Sequence, residues 1–373
     1  MLMKVTSALA PSSNGTQAEA LVLRCVDKSY DGVTKVVDAL DLDVHPGEFL
    51  TILGPSGSGK TSLLMMLAGF EPPSAGTIEI GGRDVSRLPP YKRNIGMVFQ
   101  HYALFPHLTV GENLAYPLQA RGWRKSEITE RVAWALQLIR LDGVRDRRPA
   151  QLSGGQQQRI AVARALIYKP QLVLMDEPLG ALDKQLREQM QDEILRLHRE
   201  LRPTIVYVTH DQSEALSLSD RVAVFEAGRI AQIGTPSELY ESPRTAFVAG
   251  FIGENNRITG MVIAANTEFC HVRCADGAVL EARNIADARI GDRVNLAIRP
   301  ERLRPAQAGE GSSVEVEVAD ITYLGEVSRV RGRMRDGTEI IWKLPNCGQS
   351  ARPERGATIA LGFCREDARA FAA

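Results

Sequence analysis

The stretch Gly54-Pro55-Ser56-Gly57-Ser58-Gly59-Lys60-Thr61 determines the fold class. It matches the phosphate-binding loop Gly-x-x-x-x-Gly-Lys-Thr, and it lies between an apolar run over 49–53 and a predicted helix over 60–67. The glycines let backbone N–H groups converge on phosphate oxygens, while Lys60 reaches the β- and γ-phosphates and the Thr61 hydroxyl ligates Mg²⁺. The stretch, together with the adjacent Ser62, therefore predicts nucleotide binding.

Apolar runs of strand length alternate with helical patterns on both sides of this loop. Residues 172–175 and 205–208 are such runs, and between them apolar residues recur at helical spacing until Pro203. Buried apolar strands with intervening helices indicate a mainly parallel α/β sheet. Residues 103–150 carry no strand pattern and are predicted to form a helical subdomain, in which Ser126 caps a helix. The apolar stripe of that helix is Ile128, Val132, Leu136 and Ile139.

The pattern changes after residue 250. Valines alternate with glutamates over 314–318, as in a half-buried strand. Asp-Gly pairs at 276–277 and 336–337 are typical of hairpin turns. Residues 251–373 are therefore predicted to be all-β, in one or two small barrels.

Composition limits the protein class. The chain has 373 residues, which suggests two or three domains, and its 45 Lys+Arg balance its 45 Asp+Glu. This balance gives no global attraction to nucleic acid or to an anionic membrane. No apolar run is long enough to span a bilayer, and residues 1–16 lack the apolar core of a secretory signal. Five cysteines, an odd number, indicate reduced thiols in a cytosolic compartment: Cys25, Cys270, Cys274, Cys347 and Cys364.

These observations predict three segments in a soluble, cytoplasmic protein. Residues 1–19 are polar and small, as expected of a flexible tail. Residues 20–250 form the α/β domain, and residues 251–373 form the β-barrel domain.

Two carboxylates follow the apolar run 172–175. Asp176 is predicted to lie at the C-terminal end of a strand, where open α/β sheets bind ligands, and to hold Mg²⁺ directly or through water. Glu177 is suited to polarising an attacking water. By itself the pair has an ordinary alternative, an Asp-Glu-Pro turn after a buried strand, but the phosphate loop upstream favours the metal-site interpretation.

The segment Leu152-Ser153-Gly154-Gly155-Gln156 discriminates among phosphate-loop proteins. It opens a predicted helix over 157–167 and forms a second anion-binding helix terminus. A single nucleotide does not readily use both the phosphate-binding loop and this second helix terminus of the same subunit. Ser153 and Gly155 are therefore predicted to meet the γ-phosphate of a nucleotide held by a second copy, in a dimer with nucleotides sandwiched at the interface.

With these motifs in this order, nearly the whole chain resembles the ATP-binding subunits of ABC transporters. The resemblance implies an ABC-type P-loop NTPase that uses ATP and Mg²⁺. Tyr30 resembles the aromatic residue that stacks on adenine, and His210 resembles the switch histidine that contacts the γ-phosphate. Gln100 resembles the loop glutamine that senses Mg²⁺ and the attacking water and couples to the membrane subunits. Taken one at a time, each residue has an ordinary alternative. Tyr30 is also explained as a surface aromatic, His210 as a strand-end histidine and Gln100 as a solvated loop residue.

The resemblance extends to the dimer interface and to the catalytic set. Leu182-Asp183 resembles the segment that crosses the interface, although this chain has Gly180 where many relatives have serine, which alters one interface hydrogen bond. The implied Mg²⁺ ligands are Thr61, Gln100 and Asp176. The implied catalytic residues are Glu177, His210, Gln100 and Lys60.

The C-terminal region resembles the OB-like (TOBE) barrel of importer subunits for polyamines, sugars, sulfate and iron, on the segments 297–301 and 323–325. This implies a peripheral protein on the cytoplasmic face of the inner membrane. Its implied partners are a second copy, an integral membrane permease and, indirectly, an extracytoplasmic solute-binding protein. OB barrels also bind oligonucleotides, but these strands show no aromatic set beside a basic groove, so nucleic acid is not an expected partner.

The solute is the weakest inference, because the ATPase does not touch it. Residues 99–110 and 178–183 look most like spermidine/putrescine importers, and ferric iron, sugar, sulfate and phosphonate import are the alternatives. A soluble ABC-type ATPase that acts on nucleic acid or ribosomes usually carries two fused halves or a coiled-coil insertion, whereas this chain has one phosphate loop. A regulatory scaffold whose barrels bind another protein is compatible with transport.

Overall fold

The computed structural model describes residues 21–306, 312–346 and 353–373. The predicted tail over 1–19 and Cys347 lie outside the described residues. The chain divides into two compact units, and the division falls between Pro236 and Ser237, earlier than the boundary expected after residue 250. None of the helices within the described ranges has both the length and the apolar character needed to cross a bilayer.

Among the described residues, the first unit contains most of the helices and ten strands. The strands are β1 (Leu21–Ser29), β2 (Lys35–Val44), β3 (Phe49–Leu53), β4 (Ala75–Ile80), β5 (Arg83–Asp84), β6 (Ile95–Val98), β7 (Leu172–Asp176), β8 (Thr204–Thr209), β9 (Arg221–Glu226) and β10 (Arg229–Gly234). The helices are α1 (Lys60–Ala68), α2 (Val110–Gln119), α3 (Lys125–Leu138), α4 (Gly154–Leu166), α5 (Lys184–Leu201) and α6 (Gln212–Leu218).

A six-stranded sheet of order β10-β9-β3-β8-β7-β6 forms the centre of this unit. All neighbours are parallel except the edge pair β9 and β10. Alternate residues of its central strands enter two different cores, so that Leu174 packs on the side of α1 and Val173 on the side of α5. This explains why these strands are apolar without alternation, and it confirms the predicted parallel α/β class. A four-stranded antiparallel sheet, β2-β1-β4-β5, packs on the α1 side.

The helical subdomain has its own core, built from α2, α3 and one face of α4. The predicted stripe is confirmed, because Val132, Leu136 and Ile139 are buried in that core and Ile128 packs against it. The predicted cap Ser126 is wrong. The helix α3 begins at Lys125, and its first turn is closed by Glu127, whose side chain accepts a hydrogen bond from the Arg124 backbone N–H at 3.0 Å.

The second unit is mainly β. Its helices are α7 (Pro236–Glu241), which begins at the division between the units, and α8 (Ala246–Phe251). Its strands are β11 (Asn256–Ala265), β12 (Phe269–Cys274), β13 (Val279–Asn284), β14 (Arg293–Ile298), β15 (Arg304–Pro305), β16 (Ser313–Tyr323), β17 (Val327–Arg333), β18 (Glu339–Pro345), β19 (Thr358–Gly362) and β20 (Ala368–Ala372).

These strands form a closed barrel and an adjoining sheet that share one apolar core. The barrel order is β11-β12-β13-β20-β14, and the sheet order is β15-β19-β16-β17-β18. The predicted strand over 314–318 is confirmed, because its three valines are buried within β16. The predicted Asp-Gly turns are also confirmed: Gly277 and Gly337 have φ values of +92° and +87° between paired strands.

Candidate active site

The phosphate-binding loop connects β3 to α1, and two of its glycines are sterically required. A Cβ atom at Gly59 would lie 2.4 Å from the Val36 carbonyl oxygen, and the φ of Gly59 is +103°. A Cβ atom at Gly54 would lie 2.5 Å from the Phe225 carbonyl oxygen. Only glycine fits at both ends, so the loop backbone stays close to β9 and β2.

Lys60 lies across this loop and is buried. Its Nζ donates hydrogen bonds to the Gly54 and Pro55 carbonyl oxygens at 2.8 and 2.9 Å. Burial lowers the pKa of Lys60, while the carboxylates of Glu177 and Asp176 act in the opposite direction. The ammonium group is therefore held by the loop carbonyls and lies within electrostatic range of the acidic pair.

Ser58 adds an unsatisfied donor to the loop. Its side chain is buried and its Oγ has no hydrogen-bond partner. An unpaired buried hydroxyl costs about 1–3 kcal/mol, which a phosphate oxygen would recover. The neighbouring Pro55, Ser56 and Gly57 are exposed, so this part of the loop is accessible to a ligand.

Tyr30 lies beside the first turn of α1. Its ring is 59% exposed, and its hydroxyl donates a hydrogen bond to the Ser62 Oγ at 3.3 Å. The Lys28 ammonium lies 4.7 Å from the ring centroid and is itself held by Glu71 at 2.8 Å. Sequence reasoning missed Lys28, whose side chain supports one side of the Tyr30 ring by a cation–π contact.

The structure brings Gln100, Glu177 and His210 together. The Glu177 Oε1 lies 2.9 Å from the His210 Nδ1, and the Gln100 Nε2 donates to the Glu177 Oε2 at 3.5 Å. Asp176 ends β7 next to this group. Burial raises the pKa of Asp176, Glu177 raises it further, and Lys60 opposes both. Two adjacent, partly buried carboxylates of this kind favour a nearby cation.

The backbone of Glu177 is in the left-handed region, with φ at +42°. This conformation is unfavourable for a residue with a side chain, and the following Pro178 restricts it further. The Glu177 N–H donates to the Val208 carbonyl oxygen at 2.9 Å, and this bond holds the strained residue beside β8. With the backbone in this conformation, the Glu177 carboxylate lies 2.9 Å from the His210 ring.

Residues Ser153, Gly154, Gly155 and Gln156 open α4. Ser153 caps the helix, and its N–H donates to the Gln156 side chain at 3.1 Å. The helix begins at Gly154, three residues earlier than residue 157, where the sequence predicts it. Ser153 and Gly154 are exposed, whereas Gly155 is buried against Leu186. Within the part of the chain that the structure describes, no hydrogen bond or ion pair joins these four residues to the phosphate-binding loop.

Family models match both units. The ABC transporter model matches residues 37–180, and the TOBE domain model matches residues 296–371. The spermidine/putrescine import ATP-binding protein PotA of Rubrobacter xylanophilus is 46% identical over 346 residues, which cover 92% of this chain and 91% of that protein. The chain belongs to the ABC transporter ATP-binding proteins. It is therefore an ATPase that powers transport.

Other relatives of this ABC ATPase carry similar names. The spermidine/putrescine import ATP-binding protein PotA 2 of Pseudomonas aeruginosa is 44% identical, covering 94% of this chain and 96% of that protein. The PotA protein of Thermobifida fusca is 41% identical, covering 97% of each.

Two solved structures are similar to the ATPase unit. The dimeric structure of MJ0796, a bacterial ABC transporter cassette, is 33% identical with a TM-score of 0.52, covering 58% of this chain and 98% of that one. The structure of cbiO1 from Clostridium perfringens, part of the ABC transporter complex cbiONQ, is 27% identical with a TM-score of 0.55, covering 59% and 89%. These matches confirm the ABC-type fold, and the roles of individual site residues stay predictions.

Asn113 is a second residue that sequence reasoning missed. It is fully buried in α2, where its side chain accepts a hydrogen bond from the Phe105 N–H at 2.8 Å and donates to the carbonyl oxygens of Leu108 and Thr109 at 3.3 and 2.9 Å. These bonds fix the loop that follows Gln100. The sequence feature that could have revealed Asn113 is its position between Val110 and Leu114, where a polar residue lies on the apolar side of a helix.

Gly180 does not need to be glycine in this ABC ATPase. A Cβ atom there would make only an ordinary contact, 3.5 Å from the Glu177 carbonyl oxygen. We expect Gly180→Ser to change steady-state ATP turnover by no more than about twofold, as for other exposed substitutions. A tenfold loss in that assay would show that turnover requires glycine at this position.

Proposed function

We propose that this chain is the ATP-hydrolysing subunit of an importer for polyamines, spermidine or putrescine. The observation that carries the proposal is that relatives named as spermidine/putrescine import proteins match 92–97% of the chain, so the similarity includes the barrel unit. These relatives give no support to ferric iron, sugar, sulfate or phosphonate as the solute. They also give none to an ATPase acting on nucleic acid or ribosomes.

The working unit in this proposal is a dimer of the chain. Ser153 and Gly154 are exposed at the start of α4 and have no bond to the phosphate-binding loop of their own chain. In a dimer, this helix terminus supplies N–H donors to the γ-phosphate bound by the other subunit. The dimeric form of MJ0796 supports this arrangement.

The donor set of the site suits Mg²⁺. No group of three or more His, Cys, Asp or Glu able to hold a metal ion occurs among the described residues. Mg²⁺ needs no such group, because it commonly binds one or two carboxylates together with substrate phosphates and waters. Thr61, Asp176 and Gln100 would hold the ion, and its charge would offset that of the phosphates.

The side chains have separate roles in hydrolysis. Lys60 and the loop N–H groups bind the β- and γ-phosphates, and Tyr30 stacks on adenine. Glu177 orients the attacking water or accepts its proton, a role that its hydrogen bonds with Gln100 and His210 support. His210 then stabilises the transferred phosphoryl group. Closing and reopening of the dimer would drive the permease between its two orientations.

A groove next to Gln100 is our candidate for contact with the permease. It has a volume of about 380 Å³ and is lined by the aromatic side chains of Phe99, Phe105, Tyr116 and Tyr168. Arg164 and Ala103 also line the groove, and the Arg164 guanidinium donates a hydrogen bond to the Ala103 carbonyl oxygen at 2.9 Å. Exposed aromatic grooves suit protein docking. Because Phe99 precedes Gln100, a permease segment in the groove would be linked directly to the hydrolysis site.

Solute uptake tests the assignment of polyamine. In cells lacking the chain we expect uptake of labelled spermidine and putrescine to be restored by the wild-type chain and not by Glu177→Gln. Labelled sugar, sulfate, phosphonate and ferric iron are the controls. Restoration of one of these in place of polyamine would overturn the substrate assignment while leaving the ATPase function intact.

Co-purification tests the partners. The Glu177→Gln variant, isolated from its own cells in mild detergent with MgATP, should bring an integral membrane permease with it. This result would support a peripheral position on the cytoplasmic face of the inner membrane and would identify the solute-binding protein through its permease. Recovery of ribosomes, DNA or soluble proteins without a permease would overturn the importer proposal.

A further inference from the structure

A buried polar cluster lies beneath His210, and the mechanism above does not use it. Glu214, in α6, is 2% exposed. Its Oε2 accepts hydrogen bonds from the Tyr207 hydroxyl and the Thr209 hydroxyl, both at 2.8 Å. Burial raises the pKa of Glu214. Both donors belong to β8, the strand that ends just before His210, so the cluster holds the strand end to which the histidine is attached.

Arg187 joins this cluster to another part of the site. From the first turn of α5, its Nη1 forms an ion pair with the Asp211 Oδ2 at 3.0 Å. Its Nη2 donates to the Leu182 carbonyl oxygen at 3.2 Å, and its Nε lies 3.8 Å from the Glu214 Oε1. One planar guanidinium group thus contacts the 182–183 segment on one side and the residue following His210 on the other.

Each end of this connection is itself rigid. Asp211 caps α6 by accepting from the N–H groups of Ser213 and Glu214 at 2.8 and 3.3 Å, and its own N–H donates to the Thr209 hydroxyl at 3.0 Å. Asp183 caps α5 by accepting from the Leu186 N–H at 2.9 Å. His210, by contrast, is 56% exposed and has its one described side-chain bond to Glu177. The position of its ring therefore depends on the backbone that Asp211 and Thr209 hold.

We propose that Arg187 is a positioning residue for ATP hydrolysis, which keeps the 182–183 segment in a fixed position relative to His210. This inference rests on the proposed function, in which that segment crosses the dimer interface and His210 acts on the γ-phosphate. A second copy that contacts the 182–183 segment therefore acts, through the Arg187 guanidinium, on the Asp211 backbone and so on the position of the adjacent histidine.

The chain offers a matched control on the same helix. Arg196 also lies in α5, with a side-chain exposure of 29% against 30% for Arg187. It forms ion pairs with Glu193 and Glu200 of its own helix at 2.7 and 2.9 Å. Replacing Arg196 removes an arginine of the same burial and helix without touching the 182–183 segment or His210.

The test compares full-length Arg187→Ala, Arg187→Lys and Arg196→Ala in steady-state ATPase assays. We expect Arg187→Ala to lower kcat about tenfold or more while the KM for MgATP stays within about twofold, because the interaction acts on the chemical step. Arg187→Lys should restore the thermal midpoint but not kcat, since one ammonium cannot contact Leu182 and Asp211 together. Arg196→Ala should keep its kcat even where its thermal midpoint falls.

A double-mutant cycle covers the case in which Arg187→Ala does not fold. Asp211→Asn keeps a good helix cap but loses the charge that faces Arg187. Asp211→Asn should lower kcat by itself, and combining it with Arg187→Lys should add little, because both changes disrupt one connection. The inference would be overturned if Arg187→Lys and Asp211→Asn each kept the wild-type kcat. It would also be overturned if the double variant lost kcat by the full product of the two single effects.

His210→Ala separates failure of this inference from failure of the proposed function. If His210→Ala is inactive while the Arg187 variants turn over ATP like the wild type, only the coupling through Arg187 is wrong. If His210→Ala keeps wild-type turnover, the proposed role of the histidine is wrong. These assays need neither permease nor solute, so an error in the assigned solute does not affect them.

Discussion

Replacement of Glu177 by glutamine is expected to lower steady-state ATP turnover by about 100- to 1,000-fold, within the range that a general base contributes. The amide cannot accept the proton of the attacking water, but it retains the size of the side chain and can still bond to His210 and Gln100. It also removes one of the two adjacent carboxylates, which lessens their repulsion toward the γ-phosphate. MgATP should therefore bind and hold the dimer closed.

Two measurements check this result. ATP turnover at saturating MgATP reports the chemical step, and sedimentation velocity with and without MgATP reports the dimer. Glu188→Gln is the control, because Glu188 is an exposed glutamate on α5 outside the site. Appreciable turnover in Glu177→Gln would contradict the assignment of Glu177, and a monomer in MgATP would contradict the sandwich dimer.

The second large effect is expected at Gly59, where Gly59→Ala should weaken MgATP binding by at least about 100-fold. An L-residue in the left-handed region costs roughly 1–2 kcal/mol, and here the Cβ would also lie 2.4 Å from the Val36 carbonyl oxygen. The loop must move away from β2 to relieve this contact, and its N–H groups then no longer converge on the phosphates.

Gly57→Ala is the matched control for this prediction. Gly57 has a φ of +80°, but no atom lies within 4 Å of a Cβ built there. The Gly57→Ala variant should therefore show only the cost of the backbone conformation, which weakens MgATP binding by about tenfold. Titration with a fluorescent ATP analogue compares the two variants, with a thermal melt of each to confirm folding. If the two variants lost the same amount of binding affinity, the contact with the Val36 carbonyl oxygen would have no effect on nucleotide binding.

Local signals in the sequence predict most of the fold. The phosphate-binding loop, the stripe of α3, the alternation in β16 and the Asp-Gly turns each depend on residues close together in the chain, and each is confirmed. The predicted cap of α3 is wrong because Ser126, although its hydroxyl could cap a helix, lies two residues after the N-cap position, which Arg124 occupies. The side chain of Glu127 and the backbone of Arg124 close the helix without a serine.

The arrangement of the candidate active site is harder to predict from local sequence signals. Gln100 and Glu177 are 77 residues apart, and Glu177 and His210 are 33 apart. No local pattern reports their convergence, which the parallel sheet creates by ending β7 and β8 side by side. Resemblance to a family predicted it. Arg187 was missed because its partners, a backbone carbonyl and two acids across α6, leave no regular spacing in the sequence.

The barrel of the second unit has a consequence for the order of folding. Its strand β20 pairs with β13 and β14, yet the five strands β15 to β19 of the adjoining sheet intervene in the chain. Closing this barrel therefore requires a contact across a long loop, whose entropy cost slows folding. During synthesis the ATPase unit, contiguous to Pro236, has all its strands available before β20 emerges. The ATPase unit should thus fold on the ribosome earlier than the barrel, which waits as an open sheet for its closing strand.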